Sequence, residues 1–242
     1  MRPLPEFFAG SPEPGPAHRD LCDVFVKIGG SILDHDDKTT ALVPTLTSLA
    51  ARLRVLILTG GGQAAKRIKA NQVKHGGDFY RFWKATGLFP EVNAYLLASY
   101  STTFAVVSCA AEIRTCFEAG QIPVLAPAGA ILNSLYFLPD WLVTTDSMGL
   151  HFAKHSGARR YVIVSDVDGI YEHLPGEGMQ GSPIARMTAK DLQRLPSSKL
   201  DRGFSDYHRH FCLPTIIVNG HYPERVGAAI CGTPTLGTEI VS

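Results

Sequence analysis

Two glycine-rich turns in the first quarter of the chain have the composition of phosphate-binding sites. Lys27 to Ser31 reads KIGGS after the apolar run Val24 to Val26, and Thr59 to Gln63 reads TGGGQ after Val55 to Leu58. The N–H groups at the start of a helix are unpaired, and glycine lets them approach an anion closely. Lys27 adds a compact positive charge at the same place. Each turn alone could be an ordinary strand-to-helix connection, but the two together favour phosphate binding.

Alternating strands and helices must position these turns. Apolar residues recur at helical spacing from Leu42 to Leu53, between the two strands, which gives a βαβ unit and implies a parallel sheet with helices on its faces. The later pattern predicts helices over Gly62–His75, Pro90–Tyr100, around Ile113–Phe117, Ser147–His155 and Glu224–Ile230, and strands over Ile122–Ala126, Leu142–Thr144, Tyr161–Ser165 and Thr215–Val218.

Composition restricts the class of protein. The 242 residues are 45% apolar and carry 23 basic and 22 acidic side chains, so no overall field attracts nucleic acid or an anionic membrane. There is no apolar run of membrane-spanning length and no signal-peptide pattern, and the five cysteines contain no C-x-x-C, so we expect a cytoplasmic protein. Residues 1–22 are rich in proline and are predicted to form an extended arm outside the core.

Open parallel sheets bind ligands beyond the carboxyl ends of their strands, where polar residues of this chain concentrate. Glycine turns, one lysine and several carboxylates there could hold a polyphosphate and its divalent ion. The carboxylates also have structural alternatives, since Asp146 precedes a predicted helix that it would cap and Asp168 begins a turn. The predicted ligand-facing residues are Lys27, Gly29, Gly30, Ser31, Gly60, Gly61, Gly62, Thr145, Asp146, Ser165, Asp166, Asp168, Gly169, Asn219 and Gly220.

Four segments together resemble the amino acid kinase family: VKIGGS from Val26, TGGG from Thr59, TTDS from Thr144 and SDVDGIYE from Ser165. The resemblance extends from about Asp23 to Ile240. It implies a three-layer α/β/α sandwich around a mainly parallel sheet, with an acceptor-binding and oligomerisation half over residues 23–140 and a nucleotide-binding half over residues 141–242. It also implies ATP and Mg²⁺ as cofactors, a small-molecule substrate, and at least a homodimer.

The resemblance implies roles for individual residues. Lys27 would steady the transferring phosphoryl group and Asp146 would orient that lysine, so these two are the expected catalytic residues. The expected cofactor-binding residues are Gly29, Gly30, Ser31, Ser165, Asp166, Asp168, Gly169 and Tyr171, and the expected substrate-binding residues are Gly60, Gly61, Gly62, Thr145 and Asp201.

Within the family, VNGHYPERV from Val218 and WLVTTDS from Trp141 are similar to the members that phosphorylate an aminomethylfuran phosphate in methanofuran synthesis. A departure from the family pattern concerns a second lysine in a G-G-M-x-x-K segment, which is absent here. Lys199, Arg202 or Arg209 could supply the missing charge. The same gap occurs in a non-catalytic relative that binds ATP and stores molybdenum, so a storage role is the alternative from another class.

Other interpretations have weaker support. Gly60-x-Gly62-x-x-Ala65 satisfies a loose dinucleotide fingerprint, but Asp78 does not end a strand as that fingerprint requires, and no Walker P-loop occurs. His208, His210 and Cys212 could ligate zinc, although their close spacing is more typical of a solvent-facing helix. The aromatic residues from Phe79 to Trp83 could form an acceptor wall or pack in the core or a dimer interface.

Overall fold

The computed structural model describes residues 20–133, 137, 139–172, 181–195 and 198–242. These residues form one eight-stranded sheet in the order β3-β4-β2-β1-β5-β7-β8-β6. All neighbouring pairs run parallel except β7 and β8. The strands are β1 Val24–Ile28, β2 Val55–Thr59, β3 Phe104–Val107, β4 Ile122–Leu125, β5 Arg160–Ser165, β6 Arg186–Thr188, β7 Thr215–Asn219 and β8 Thr238–Val241.

Helices connect the strands and cover both faces of the sheet. The helices in the described residues are α1 Gly30–Leu33, α2 Asp36–Ser48, α3 Gly62–His75, α4 Phe79–Ala98, α5 Ala110–Glu118, α6 Ala128–Leu132, α7 Thr145–His155, α8 Ala189–Arg194, α9 Phe204–Phe211 and α10 Pro223–Cys231. The expected α/β/α sandwich around a mainly parallel sheet is confirmed.

Alternation along the central strands builds one core on each face. On β1, Phe25 belongs to the core formed with α5, α7 and α9, whereas Val26 belongs to the core formed with α2 and α10. Tyr161 and Val162 on β5 divide in the same way. Because successive side chains of a strand point to opposite faces, strands buried on both sides read as nearly continuous apolar runs.

The prediction that a helix starts at Pro90 was wrong. In the structure α4 begins at Phe79 and Pro90 lies inside it. The side chain of Asp78 accepts a hydrogen bond from Arg81 N at 3.2 Å and caps the helix there. The hydroxyl of Thr59 donates to the carbonyl oxygen of Pro90, so this part of α4 is joined to the end of β2.

The predicted strand over Leu142–Thr144 was also wrong. Asp140 Oδ1 accepts from the backbone N–H groups of Leu142 and Val143, at 2.7 and 2.9 Å. The side chain therefore takes the donors that a neighbouring strand would need, which is the usual action of aspartate in a turn. The segment becomes a loop that leads into α7.

The start of the fold lies slightly earlier than expected. The predicted arm over residues 1–22 falls mostly outside the described residues, but Leu21 and Cys22 are buried, and Leu21 N donates to Ser156 O at 2.9 Å. The described part of the chain contains no helix that is both long and apolar enough to cross a membrane.

Candidate active site

The two glycine turns lie side by side at the carboxyl edge of the sheet. Ile28 is in register with Thr59, and Gly60 N donates to Ile28 O at 2.8 Å. A Cβ atom on Gly30 would overlap the backbone nitrogen of Gly62. Only glycine at position 30 therefore allows the two turns to meet.

The structure restricts which backbone donors remain for an anion. Gly29 N donates to Val164 O at 2.8 Å, and Gln63 N donates to Asp34 Oδ2 at 2.9 Å. Together with Gly60 N, these N–H groups are used by the fold itself. A carboxylate already lies at the start of α3, so the positive charge for any anion bound there must come largely from side chains.

A cavity of about 960 Å³ opens at this edge, between β1, β2, β5 and the start of α7. Most of the predicted site residues line it, which brings together groups that lie far apart in the sequence. They are Lys27, Gly29, Gly30, Ser31, Gly60, Gly61, Gly62, Thr145, Asp146, Ser165, Asp166 and Asp201.

Lys27 and Asp146 form an ion pair in the wall of this cavity. Lys27 Nζ lies 2.7 Å from Asp146 Oδ1, and their side chains are only 11% and 10% exposed. The pair is formed by β1 and the first turn of α7. Asp146 was expected to cap this helix, but it lies inside the first turn, and the N-cap position is occupied by Thr144. A lysine held by a single carboxylate is oriented toward one direction and can still donate to a phosphate.

The position of α7 under the sheet depends on two further residues. The hydroxyl of Tyr161 donates to Asp146 O at 3.1 Å. A Cβ atom on Gly149 would overlap that hydroxyl, so glycine is needed for this approach.

Asp201 contacts the start of α7 from the loop before α9. Its Oδ2 accepts from Thr144 N at 2.8 Å and from Ser147 N at 3.0 Å, and its Oδ1 accepts from the hydroxyl of Ser147. Burial, followed by repulsion from Asp146, raises the pKa of Asp201 to about 6. The expected substrate-binding residue thus lies in the cavity wall with its oxygens directed at a helix start.

Three predicted nucleotide-binding residues do not line the cavity: Asp168, Gly169 and Tyr171. Asp168 Oδ1 accepts from Asn219 Nδ2 at 3.0 Å and from Arg225 Nη1 at 2.7 Å. Gly169 has φ +154°, and a side chain there would overlap Thr238. The geometry gives Asp168 and Gly169 a role in joining β5 to the C-terminal elements.

Two of the three candidates for the missing second lysine line the cavity, and the third does not. Lys199 and Arg202 line the cavity, and Lys199 Nζ lies 3.7 Å from Asp166 Oδ1. Arg209 is outside the cavity and contacts Gln193 and Asp206, at 3.1 and 3.7 Å. Of the three candidates, Lys199 and Arg202 are therefore the ones that a ligand in the cavity could meet.

The opposite end of the cavity combines cations with an apolar wall. Lys66 and Lys69 of α3 line it together with Trp83, Ile131 and Trp141. Lys69 Nζ lies 5.3 Å from the centre of the Trp141 ring, within the range of a cation–π contact. This end can accept a ligand with one anionic group and one flat apolar group.

The aromatic segment is divided between the core and the surface. Trp83 is buried in the core and also lines the cavity, whereas Tyr80 is exposed and stacks on Trp83 with ring centres 6.1 Å apart. Phe79 meets the edge of Trp141 at 5.1 Å.

A family model described as the amino acid kinase family matches residues 24–213. The chain belongs to the amino acid kinase family. It is therefore a phosphotransferase, as expected from the four motifs, and the Lys27–Asp146 pair lies among the family's own segments.

Relatives and solved structures agree with this membership. The [5-(aminomethyl)furan-3-yl]methyl phosphate kinase of Methanocaldococcus jannaschii is 30% identical over 224 residues, which cover 89% of this chain and 96% of the relative. The uridylate kinase of Methanothrix thermoacetophila is 27% identical over 90% of this chain and 99% of its own length. The crystal structure of uridylate kinase from Archaeoglobus fulgidus superposes with a TM-score of 0.72 at 22% identity, over 90% of this chain and all of that one. These relatives are named as kinases, and nothing in the comparison favours the storage role.

Some residues of this kinase site were not found from the sequence. Lys69 and Trp141 were missed as cavity residues, as was the contact of Ser147 with Asp201. The spacing of Lys66 and Lys69 could have indicated a shared helix face, because residues three apart lie next to each other on a helix. No local signal identifies Trp141, since its partners Gln72 and Phe79 come from distant segments.

The oxygen ligands fit a magnesium ion that is held mainly by phosphates. Asp166 lines the cavity, and its side chain is 34% exposed. Magnesium commonly uses one or two carboxylates together with substrate phosphates. Across the described residues no group of three or more His, Cys, Asp or Glu side chains is placed to hold a metal, and His208, His210 and Cys212 form no such group.

Proposed function

We propose that this protein transfers the γ-phosphoryl group of ATP to a small phosphate monoester. The observation that carries the proposal is the 2.7 Å Lys27–Asp146 ion pair in a cavity bordered by two glycine turns. An oxygen of the acceptor phosphate attacks the γ-phosphorus, the bond from that phosphorus to the β–γ bridging oxygen breaks, and ADP leaves. Such a transfer needs positioning and charge neutralisation more than covalent chemistry from the protein.

The cations that line the cavity have different roles in this transfer, according to where they lie. Lys27 faces the transferring group, because it lies one residue before the end of β1 with its ammonium group beside Gly29, and Asp146 orients that group. Lys199, which lies beside Asp166, and Arg202, which lines the same cavity, neutralise charge on the ATP phosphates. Asp166 would hold a magnesium ion together with the phosphates, and the ion would supply positive charge that offsets the charge of the phosphates.

The nucleotide half of the site is proposed from the residues that follow β5 together with the first glycine turn. Gly29, Gly30, Ser31, Ser165 and Asp166 lie in the cavity and are proposed to contact ATP. Asp168, Gly169 and Tyr171 are not proposed to contact ATP, because they do not line the cavity. Asp168 is in addition engaged by Asn219 and Arg225.

We propose [5-(aminomethyl)furan-3-yl]methyl phosphate as the acceptor. Lys66 and Lys69 supply charge for its phosphate, and Trp83 and Trp141 supply apolar surface for a flat ring. Asp140 also lines the cavity and would match an ammonium group. The relative from Methanocaldococcus jannaschii carries this compound in its name, which supports the choice over uridylate.

A screen of ATP consumption with several phosphate monoesters tests the proposal. The panel contains the aminomethylfuran phosphate, the corresponding furan phosphate without the amine, and uridylate. We expect fastest turnover with the first compound, dependent on magnesium. Turnover with uridylate alone would overturn the acceptor, and no ATP consumption with any compound would overturn the proposed reaction.

Replacement of Lys27 tests the proposed role of the Lys27–Asp146 ion pair. Lys27→Ala should lower kcat by about 100- to 1,000-fold, because removal of a group that stabilises transition-state charge costs several kcal/mol. Lys154→Ala is the matched control, since Lys154 is exposed at the other end of α7. Thermal unfolding of both variants shows whether the fold survives, and full turnover in a folded Lys27→Ala would contradict the role of the pair.

We also propose that the protein acts in the cytoplasm as a homodimer or larger homo-oligomer. The oligomer is supported by the exposed apolar residues Leu88, Val92, Tyr95 and Leu96 on one face of α4.

A further inference from the structure

The carboxylate of Asp201 caps a helix that lies more than fifty residues earlier in the chain. Besides the two backbone N–H groups of Thr144 and Ser147, both hydroxyl groups of those residues donate to it, that of Thr144 at 2.8 Å. Four donors thus meet the two oxygens of one side chain. A carboxylate at a helix start satisfies N–H groups that have no partner within the helix and interacts favourably with the helix dipole.

The first turn of α7 lacks the local cap that its sequence suggests. Thr144 occupies the N-cap position, but its side chain makes no capping hydrogen bond within the helix. Its hydroxyl donates to Asp201 instead. The position of this helix start is therefore determined by the loop before α9.

Asp146 lies between the two residues that Asp201 holds. Thr144 precedes it by two positions and Ser147 follows it directly, so the backbone of Asp146 is fixed on both sides. Its carboxylate in turn holds Lys27 Nζ. A continuous path of contacts thus joins Asp201 to the ammonium group that faces the cavity.

We propose that Asp201 is a positioning residue, which fixes the Lys27–Asp146 pair through the first turn of α7 and does not itself contact substrate. This inference rests on the proposed function of that pair in phosphoryl transfer. It replaces the substrate-binding role expected from the sequence, because both oxygens of Asp201 are already engaged by Thr144 and Ser147.

The same contact aligns the cations on the other side of the cavity. Lys199 and Arg202 flank Asp201 in sequence and both line the cavity. Gly203 N donates to Leu142 O at 2.8 Å, and a side chain at Gly203 would approach Val143 to 2.9 Å. The loop around Asp201 is therefore packed closely against the loop before α7. This packing fixes the distance between Lys199 and Arg202 on one side and the Lys27–Asp146 pair on the other.

The chemical reactivity of Lys27 tests this inference without an identified acceptor. The side chain of Lys27 is only 11% exposed and its amine lies 2.7 Å from Asp146 Oδ1, so the amine is shielded from reagents in solution. Loosening the pair should therefore speed its reductive methylation by formaldehyde and borohydride, measured by mass spectrometry of the Lys27 peptide. Asp146→Asn is the positive control. We expect Asp201→Asn to raise the methylation rate about threefold, below the effect of Asp146→Asn, because one amide oxygen can still accept.

Asp206→Asn is the matched negative control, since Asp206 is exposed on α9 and pairs only weakly with Arg209, at 3.7 Å. A methylation rate in Asp201→Asn equal to that of Asp206→Asn would overturn the inference. If Asp201→Asn does not fold, Ser147→Ala removes a single donor and should raise the rate in the same direction. An unchanged rate in Ser147→Ala would then count against the inference.

Steady-state kinetics separate positioning from substrate contact. With the acceptor found in the screen, Asp201→Asn should lower kcat at least about tenfold, since small displacements of catalytic groups cost this much, and leave KM for both substrates within about twofold. A raised KM for the acceptor with unchanged kcat would show direct contact and overturn the inference. If no acceptor is found, the proposed function fails, while the methylation result still decides the role of Asp201.

Discussion

At the scale of single residues, the site depends on a small number of close contacts between segments. Gly30 is packed against Gly62, and Lys27 is paired with Asp146. These contacts leave little freedom for substitution, because protein interiors are densely packed and a new methyl group must displace its neighbours. Exposed cations such as Lys199 have more room, so their loss should affect catalysis more than stability.

Substitution of Gly30 tests the contact between the two glycine turns. Gly30→Ala should lower stability by about 1–3 kcal/mol and reduce kcat, because the added methyl overlaps backbone that cannot rotate away. Gly129→Ala is the matched control, since nothing lies within 4 Å of a Cβ there. Urea denaturation measures both variants. Equal stability of the two would contradict the close approach of the turns.

The second cation can be identified by comparing Lys199 and Arg209. Lys199→Ala should reduce kcat about 10- to 100-fold with little change in melting temperature, since the side chain is 46% exposed and faces the cavity. Arg209→Ala should retain wild-type turnover, because Arg209 lies outside the cavity. Steady-state kinetics with saturating ATP measure the difference. A larger loss of turnover in Arg209→Ala than in Lys199→Ala would contradict the proposal that the loop before α9 supplies the second cation.

At the scale of elements, α7 carries both Asp146, the proposed partner of Lys27 in catalysis, and two histidines, of which His151 is buried and His155 is half-buried. Its first turn holds Asp146, and its later turns place His151 and His155 against Phe211 of α9. The ring centres of the two histidines are 4.3 Å apart. The helix therefore joins the active site to a region whose stability depends on pH.

Acid should destabilise this region. Burial lowers the pKa of His151, His155 and His208 below the ordinary value. Above that value all three are neutral whether the chain is folded or unfolded. As the pH falls below about 6.5, the unfolded chain takes up protons first and the free energy of unfolding decreases. Asp201 acts in the opposite direction, because its raised pKa, about 6, lets the folded state take up a proton first.

Urea denaturation near neutral pH and at about pH 5.5 measures this effect. We expect a lower midpoint at the acidic pH, since three histidines outweigh one aspartate. His151→Phe should show a smaller decrease, because phenylalanine fits among aromatic neighbours and does not titrate. His75→Gln, an exposed position, is the control and should behave like the wild type. An identical decrease in His151→Phe and wild type would contradict the explanation.

At the scale of the whole molecule, one helix face remains apolar and exposed. Leu88, Val92, Tyr95 and Leu96 of α4 are 49%, 58%, 60% and 38% exposed. Their spacing of four, three and one residues places them on one side of the helix. Contiguous apolar surface of this kind marks an interaction site, and a second copy of the chain can cover it symmetrically.

Sedimentation velocity tests this surface. The wild type should sediment as a homodimer or larger species at micromolar concentration, and Val92→Arg should shift it toward the monomer, because the change places a charge at the centre of the apolar face. Leu236→Arg is the matched control at another exposed apolar position. A monomeric wild type, or dissociation by Leu236→Arg alone, would contradict a dimer through α4.

The sequence alone determined the strands that carry the glycine turns and the location of Lys27 at the end of β1. These features depend on neighbours in the chain: an apolar run, a glycine pair and the next helical pattern. The helix over Gly62–His75 was predicted to the residue for the same reason. Family motifs then supplied the expectation that Asp146 meets Lys27.

Only the tertiary structure decided the remaining features, because their partners come from distant segments. Asp201 caps a helix whose start lies more than fifty residues earlier in the chain. Asp168 was predicted to line the ligand site, but it pairs with Arg225 outside the cavity. Pro90 lies within α4 because Asp78 starts that helix earlier, and Trp141 joins the cavity through contacts with α3 and α4. Local patterns specify which backbone elements form, whereas the donors and acceptors that meet across the sheet edge depend on how those elements pack.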